Sequence, residues 1–269
     1  MNENVKWIAA AVAVVGLSIG AVVYRDKWWT DREAAPEEPV APAPVAAPPV
    51  EAVPAEPAVK HPLPTAETDQ ALPALDGSDA SMLGELGGVV GKESLERFVV
   101  PKDLVRHIVV SIDNLSTEKV AERIRPVKPT PGTFAVAGTE EAPVLDPANY
   151  SRYQPLVRMV GSTDTQQLVA IYTRYYPLFQ EAYENLGHPP EYFNDRVIEV
   201  IDHLLLTPDL QGPIALSRPN VLYEFDDPKL ESRSAGQKAL IRMGSENAKV
   251  IKNKLRELRG ELVAKQPGN

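Results

Sequence analysis

Cysteine is absent from the 269-residue chain. Its absence excludes a thiol nucleophile, a zinc or iron–sulfur site with cysteine ligands, and a lipid anchor on cysteine. The motifs HExxH, GxSxG and GxGxxG are absent as well, and Gly236-Gln237-Lys238 lacks the glycine spacing of a phosphate loop. The net charge of −9 argues against a nucleic-acid partner. We therefore expect neither a cofactor nor nucleic acid to be bound.

Charged residues are also missing from the stretch 8–23, which lies between Trp7 and the pair Trp28 and Trp29. As an α-helix, the chain from the first to the second tryptophan would span roughly 32 Å, about the hydrocarbon thickness of a bilayer. Indole rings favour the interface between headgroups and hydrocarbon. The pattern predicts a single transmembrane helix over residues 7–29, after a short N-terminal tail.

A cleaved export signal is the alternative interpretation of this apolar stretch. No Ala-x-Ala cleavage site follows it, and the chain continues into the charged residues 25–27, which favours an uncleaved anchor. Gly16 and Gly20 have the GxxxG spacing that lets two membrane helices approach closely, so the anchor could form a homodimer.

The orientation of the anchor follows less directly from its flanking charges. Lys6 precedes the apolar stretch, whereas Arg25, Lys27 and Arg32 follow it, which leans slightly towards a cytoplasmic C-terminal part. The short N-terminal tail, the proline-rich segment beyond the anchor and the absence of cysteine favour the opposite arrangement. We expect an inner-membrane protein with its C-terminal domain in the periplasm.

A proline-rich segment follows the predicted anchor. Ten of the 26 prolines lie between Pro36 and Pro64, interleaved with Ala, Val and Glu. Proline removes backbone donors and the other residues supply little apolar surface to bury, so no core can form there. We expect residues 30–71 to be a disordered, extended linker. Lys60 is its one lysine, against several acidic residues.

Helical periodicity dominates from about residue 72, and residues 265–269 should form a flexible tail. The apolar spacing predicts a mainly α fold: one mostly helical globular domain over 72–264 with a small β hairpin or ribbon. Asp164 should cap a long helix that ends at Gly187, and Ser245 should cap the last helix. The strand signals are Thr133–Ala137, Ile214–Leu216 and Val221–Phe225.

Several short blocks of this domain carry a resemblance to a known family. They include Asp113-Asn-Leu115, Ala148-Asn-Tyr-Ser-Arg-Tyr153, Tyr192-Phe-Asn-Asp-Arg196 and Ser234-Ala-Gly-Gln-Lys238. The chain resembles the proteobacterial family catalogued as domain of unknown function 3014, over roughly residues 72–263. The resemblance implies an uncharacterised single-pass envelope protein and assigns no catalytic residue.

Asp195, Glu199 and Asp202 share one face of a predicted helix, with His203 beside them. Clustered carboxylates with a histidine could act as acid and base through Asp195, Glu199 and His203, or bind a metal through Glu199, Asp202 and His203. The other interpretation is an ordinary amphipathic helix whose acidic face is solvated or paired with arginine.

Two further patterns suggest binding surfaces. Tyrosines recur at helical spacing and could line a groove for a sugar or a peptide, or else belong to the core. Basic residues of the last helix could meet anionic lipid, a cell-wall polymer or an acidic partner, or merely keep the helix soluble. The candidate residues are Tyr172, Tyr175, Tyr176, Tyr183, Lys252, Arg256 and Arg259.

Together these features favour a non-catalytic scaffold or binding module of the cell envelope. The anchor would localise it, the linker would set its reach, and the head would bind an envelope protein or cell-wall partner. The alternative is a hydrolase or metal-dependent enzyme that acts on an envelope polymer through Asp195, Glu199 or His203.

Overall fold

A computed structural model describes residues 59–64, 71–118 and 124–265. The predicted anchor, with Gly16 and Gly20, lies outside these ranges, and so do the N-terminal tail, residues 266–269 of the C-terminal tail and most of the predicted linker. Within the described ranges, no helix combines the length and apolarity that crossing a membrane requires.

Helices make up most of the described chain, which confirms a mainly α fold. A 3₁₀ turn at Leu75–Gly77 precedes the first of them. The α-helices are α1 (Asp79–Val90), α2 (Lys92–Phe98), α3 (Leu104–Asn114), α4 (Ala148–Gly161), α5 (Thr165–Asn185), α6 (Phe193–Leu205), α7 (Pro228–Glu231), α8 (Ala235–Arg242) and α9 (Ser245–Ala264).

The long helix α5 lies at the centre of this bundle. It packs against α1, α3, α6 and α9, and α9 also lies against α4 and α6. Because neighbours cover it on several sides, its apolar residues are buried over most of its length, with Val169 and Tyr175 fully enclosed. The helix α6, which follows α5, packs against α3, α5 and α9.

Two small antiparallel pairs of strands replace the single hairpin or ribbon expected. They are β1 (Val136–Gly138) with β2 (Pro143–Leu145), and β3 (Leu216–Ser217) with β4 (Glu224–Phe225). A bridge between Val144 and Ala215 joins the pairs. The strand β2 was not predicted, because a three-residue strand beginning with proline gives almost no alternation.

Helix starts test the capping predictions. The carboxylate of Asp164 accepts hydrogen bonds from the N–H groups of Gln166 and Gln167, so the predicted cap is confirmed. The prediction for Ser245 is wrong, because Ser245 is the first helical residue and Gly244 precedes it with φ +85°. A Cβ at Gly244 would lie 2.6 Å from the ring of Tyr150, so glycine is required there.

Candidate functional site

Residues 59–64 of the predicted linker lie against the head. The carboxylate of Asp195 accepts the main-chain N–H of Lys60 at 2.9 Å and that of His61 at 2.7 Å. These contacts correct the prediction of a disordered linker for this short segment, whose composition alone gave no sign that it would bind. We call residues 60–63 the docked segment.

The side chains that hold the docked segment come from the start of α6. Besides Asp195, the hydroxyl of Tyr192 accepts the N–H of Leu63 at 2.9 Å, and the side-chain amide of Asn194 donates to the carbonyl of His61 at 2.8 Å. All of these bonds go to main-chain atoms of the segment. We call Tyr192, Asn194 and Asp195 the clamp.

A carboxylate suits this position for two reasons. Asp195 lies in the first turn of α6, where the helix dipole favours negative charge. A carboxylate can also accept several hydrogen bonds at once, and bonds to an ionised acceptor are stronger than neutral ones. Asp195 thus binds two consecutive main-chain amides with a single side chain.

The sequence of the docked segment matches the clamp. Lys60, His61 and Leu63 supply N–H donors, whereas Pro62, which has none, occupies the position between them. The side chain of Leu63 is partly buried against the main core. Proline also restricts the free segment, which reduces the entropy lost when it binds.

A second layer of hydrogen bonds positions the clamp. The hydroxyl of Tyr176 accepts the N–H of Asn194 at 3.2 Å and donates to the side-chain oxygen of Gln180 at 2.8 Å. That same oxygen of Gln180 accepts the N–H of Phe193 at 2.9 Å. Burial, reinforced by nearby tyrosines, raises the pKa of Tyr176, so its hydroxyl keeps the proton that it donates.

A cleft of about 330 Å³ begins at the docked segment and follows α6. On the head side it is lined by four carboxylates, one arginine, two tyrosines and Ile198; the carboxylates are those of Glu191, Asp195, Glu199 and Asp202. Lys60 and His61 line it from the docked segment. The acidic face predicted from the sequence is therefore the wall of a real cleft.

The acidic side chains of this wall already have partners. Asp195 holds the docked segment, Glu199 lies 3.1 Å from Arg196, and Asp202 accepts a hydrogen bond from Arg259 at 3.0 Å. Among the described residues, no group of three or more histidine, aspartate and glutamate side chains could hold a metal ion. The arrangement fits the paired-face interpretation better than a metal site.

His203 is separated from this wall. Its Nε2 lies 2.8 Å from the hydroxyl of Ser234, which caps α8, and it does not line the cleft. Burial first, and then the positive charge of Arg196, lower the pKa of His203, so the ring is neutral near pH 7. The structure thus gives His203 a role in holding α6 and α8 together.

Three of the four candidate tyrosines lie in the core. Tyr172, Tyr175 and Tyr183 are at most 3% exposed, so they offer little surface for stacking, although Tyr183 lines the cleft and its hydroxyl donates to Glu191 at 2.8 Å. The fourth, Tyr176, positions the clamp, because its hydroxyl accepts the N–H of Asn194. Sequence reasoning missed Tyr192, the tyrosine that contacts the docked segment; its place just before a helix whose first turn holds Asn194 and Asp195 was the available signal.

The basic residues of the last helix are mostly engaged within the head. The ammonium of Lys252 donates to the carbonyl of Thr207 and to Asp209, both at 2.6 Å, and the Lys252 side chain is only 5% exposed. Lys254 is likewise buried, and Arg259 pairs with Asp202. Of the predicted basic candidates, Arg256 is the exposed one.

Comparison with known proteins places the chain in a family. No curated protein and no solved structure matches it. A family model matches residues 104–259, more than half of the chain, and this range includes the clamp and the whole wall of the cleft but not the docked segment. The chain belongs to the family described as "Protein of unknown function (DUF3014)".

Proposed function

We propose that this protein is a membrane-anchored, non-catalytic binding module of the cell envelope. The apolar stretch 7–29 serves as a single-pass anchor in the inner membrane, and the proline-rich residues 30–58 serve as an extended stalk. The head faces the periplasm and binds an envelope protein or a cell-wall polymer. GxxxG spacing at Gly16 and Gly20 supports pairing of two anchors.

One observation carries the binding role: the head already holds a separate segment of polypeptide. The clamp binds the docked segment through main-chain atoms, and the cleft beside it continues along α6. Recognition of peptides by proteins commonly combines main-chain hydrogen bonds with pockets for side chains. The head is therefore equipped for recognition at the acidic face to which the enzyme alternative assigns catalysis.

A catalytic role has weaker support. A general acid or base must reach its substrate, yet Asp195 is engaged by two amides and His203 by Ser234. Glu199 is the remaining candidate, because its side chain is 69% exposed in the cleft while it pairs with Arg196. The enzyme alternative therefore depends on Glu199, and Glu199→Gln should leave any hydrolysis of envelope polymer unchanged.

Photo-crosslinking in living cells tests the proposed function. A photoreactive amino acid at Glu199, in the cleft, should capture a specific partner, whereas the same amino acid at Glu93, exposed on α2, should not. Equal capture at both positions, or at neither, would contradict a binding role for the cleft. Alkaline extraction of the same cells should leave the full-length protein in the membrane fraction; release as a soluble product would contradict the anchor.

A further inference from the structure

We propose that the cleft recognises a basic, proline-containing peptide of a partner protein, and that the docked segment is an internal occupant which this peptide displaces. The inference rests on the proposed function, and it names the class of partner. Three independent features of the described residues support it: the pattern of main-chain donors, the charge of the cleft wall, and an unpaired acceptor in the clamp.

The pattern of donors defines the backbone of the ligand. The clamp requires N–H groups at two consecutive residues and at the second residue after them, and the docked segment supplies these from Lys60, His61 and Leu63. The intervening position needs no donor and is occupied by proline. A partner peptide must present the same spacing, because a buried clamp oxygen without a donor is costly.

The charge of the cleft defines the side chains of the ligand. Without the docked segment, four carboxylates line the wall, while Arg196 pairs with Glu199 and Arg259 pairs with Asp202, so negative charge remains in excess. Lys60 is the one lysine of the predicted linker, whose acidic residues outnumber its basic ones, and it lies where this wall begins. Charge complementarity therefore favours a ligand with basic residues, and the part of the cleft beside Glu199 and Asp202 has room for more of them.

The clamp is not fully satisfied by the docked segment. Asn194 is completely buried, and its side-chain oxygen has no hydrogen-bond partner among the described residues. Buried acceptors are normally paired. An occupant that leaves an acceptor open binds less strongly than one that also pairs it, as expected of a segment that a partner can replace.

The docked segment competes with a free peptide for the clamp, because it belongs to the same chain. Six residues separate Pro64 from Ala71, the next described residue, so the segment stays close to its own clamp. Short connections give effective concentrations on the order of millimolar. A free peptide should therefore bind the wild-type chain weakly and bind a chain with an impaired docked segment more tightly.

Fluorescence anisotropy on the full-length protein in detergent micelles tests the proposal. The probe is a labelled peptide of residues 57–64, Pro-Ala-Val-Lys-His-Pro-Leu-Pro. The double variant His61→Pro/Leu63→Pro removes two of the three donors of the docked segment and leaves the head unchanged. This variant should bind the probe at least about tenfold more tightly than the wild type, since internal competition is lost.

Two controls identify the site. Adding Asp195→Asn to the double variant should weaken probe binding at least about tenfold, because one carboxylate oxygen is replaced by a donor. Adding Glu246→Gln, which changes an exposed acid on α9, should leave binding unchanged. Equal probe affinity of the double variant and the wild type, or indifference to Asp195→Asn, would overturn the proposal.

Three other outcomes distinguish this inference from a dimer contact and from the proposed function. A wild-type dimer that dissociates in the double variant would assign the docked segment to a second copy of the chain and would overturn the separate partner. Capture of a partner at Glu199 in cells together with no probe binding would overturn the peptide class but leave the binding module intact. Probe binding without capture in cells would support the peptide specificity and count against the proposed function.

Discussion

Single aspartates join distant parts of this chain by accepting two neighbouring main-chain amides. Asp195 does so for Lys60 and His61, and Asp79 does so for the N–H groups of Asp103 and Leu104, both at 2.8 Å. The second case shows that the head uses the same device to fix the start of α3. An aspartate in a predicted first turn is a recognisable signal, but the distant amides that it binds cannot be identified from sequence spacing.

The contribution of His203 to the stability of the fold should depend on pH. Burial, the largest cause, lowers its pKa in the folded state from the ordinary 6.5. The unfolded chain then binds more protons below pH 6.5, so His203 favours folding above that pH and its contribution is lost as the pH falls towards the folded pKa. The variant His203→Gln cannot be protonated and keeps a hydrogen-bonding group beside Ser234.

Thermal unfolding of full-length protein in detergent at about pH 7.5 and about pH 5.5 measures this effect, because these values bracket the titration of a free histidine. The wild type should lose more of its Tm between the two conditions than His203→Gln does. The pKa of His107 is also lowered by burial, and since both proteins retain it, its contribution cancels in the comparison. Identical losses in both proteins would show that His203 does not couple folding to pH.

At the scale of elements, the packing of α8 against α6 and against the residue that follows α3 depends on Gly236. A Cβ at this position would lie 2.5 Å from a methyl group of Leu204 and 2.8 Å from the carbonyl oxygen of Leu115. We expect Gly236→Ala to lower the free energy of unfolding by about 1–3 kcal/mol through overpacking. Gly260→Ala is the matched control, because it lies exposed on α9 and an added Cβ would meet no atom within 4 Å apart from its chain neighbours and the backbone of its own helix.

The control should raise the free energy of unfolding by about 0.5–1 kcal/mol, since alanine favours a helix over glycine. Denaturant unfolding followed by circular dichroism measures both changes. A neutral or stabilising Gly236→Ala would mean that α8 does not approach its neighbours this closely.

The helices were predictable to the extent that local signals set them. Asp164 and the apolar spacing after it fix α5, whereas the start of α9 was misplaced because the close approach of Tyr150 to Gly244 depends on the tertiary fold. The same limit applies to the exposure of side chains on α9. Periodicity made Lys252 look like a solvent-facing cation, although Asp209 and the carbonyl of Thr207 enclose it.

The candidate site shows that local sequence patterns predict which residues lie together but not what they bind. Helical spacing placed Asp195, Glu199 and Asp202 together, and the structure brings them to one cleft. Their chemistry could not be predicted, because it depends on partners far along the chain. His61 is more than a hundred residues from Asp195, and Arg259 belongs to a different helix from Asp202.

On the scale of the whole molecule, docking of residues 60–63 would shorten the proposed tether of the head. An unbroken polyproline rod of residues 30–71 would reach about 130 Å, whereas residues 30–58 reach about 90 Å. The docked segment would also fix the side of the head at which the proposed stalk enters. In the proposed arrangement, a partner that displaces this segment would extend the reach of the head while it binds.

Amide hydrogen exchange of residues 59–64 in the full-length protein tests the central claim most directly. The N–H groups of Lys60, His61 and Leu63 are bonded to the clamp, so this segment should exchange at least about tenfold more slowly in the wild type than in Asp195→Asn. The control Glu199→Gln, which alters the same cleft without touching these bonds, should exchange like the wild type. Equally fast exchange in all three proteins would show that the head does not hold the docked segment, and the binding module inferred from that contact would lose its basis.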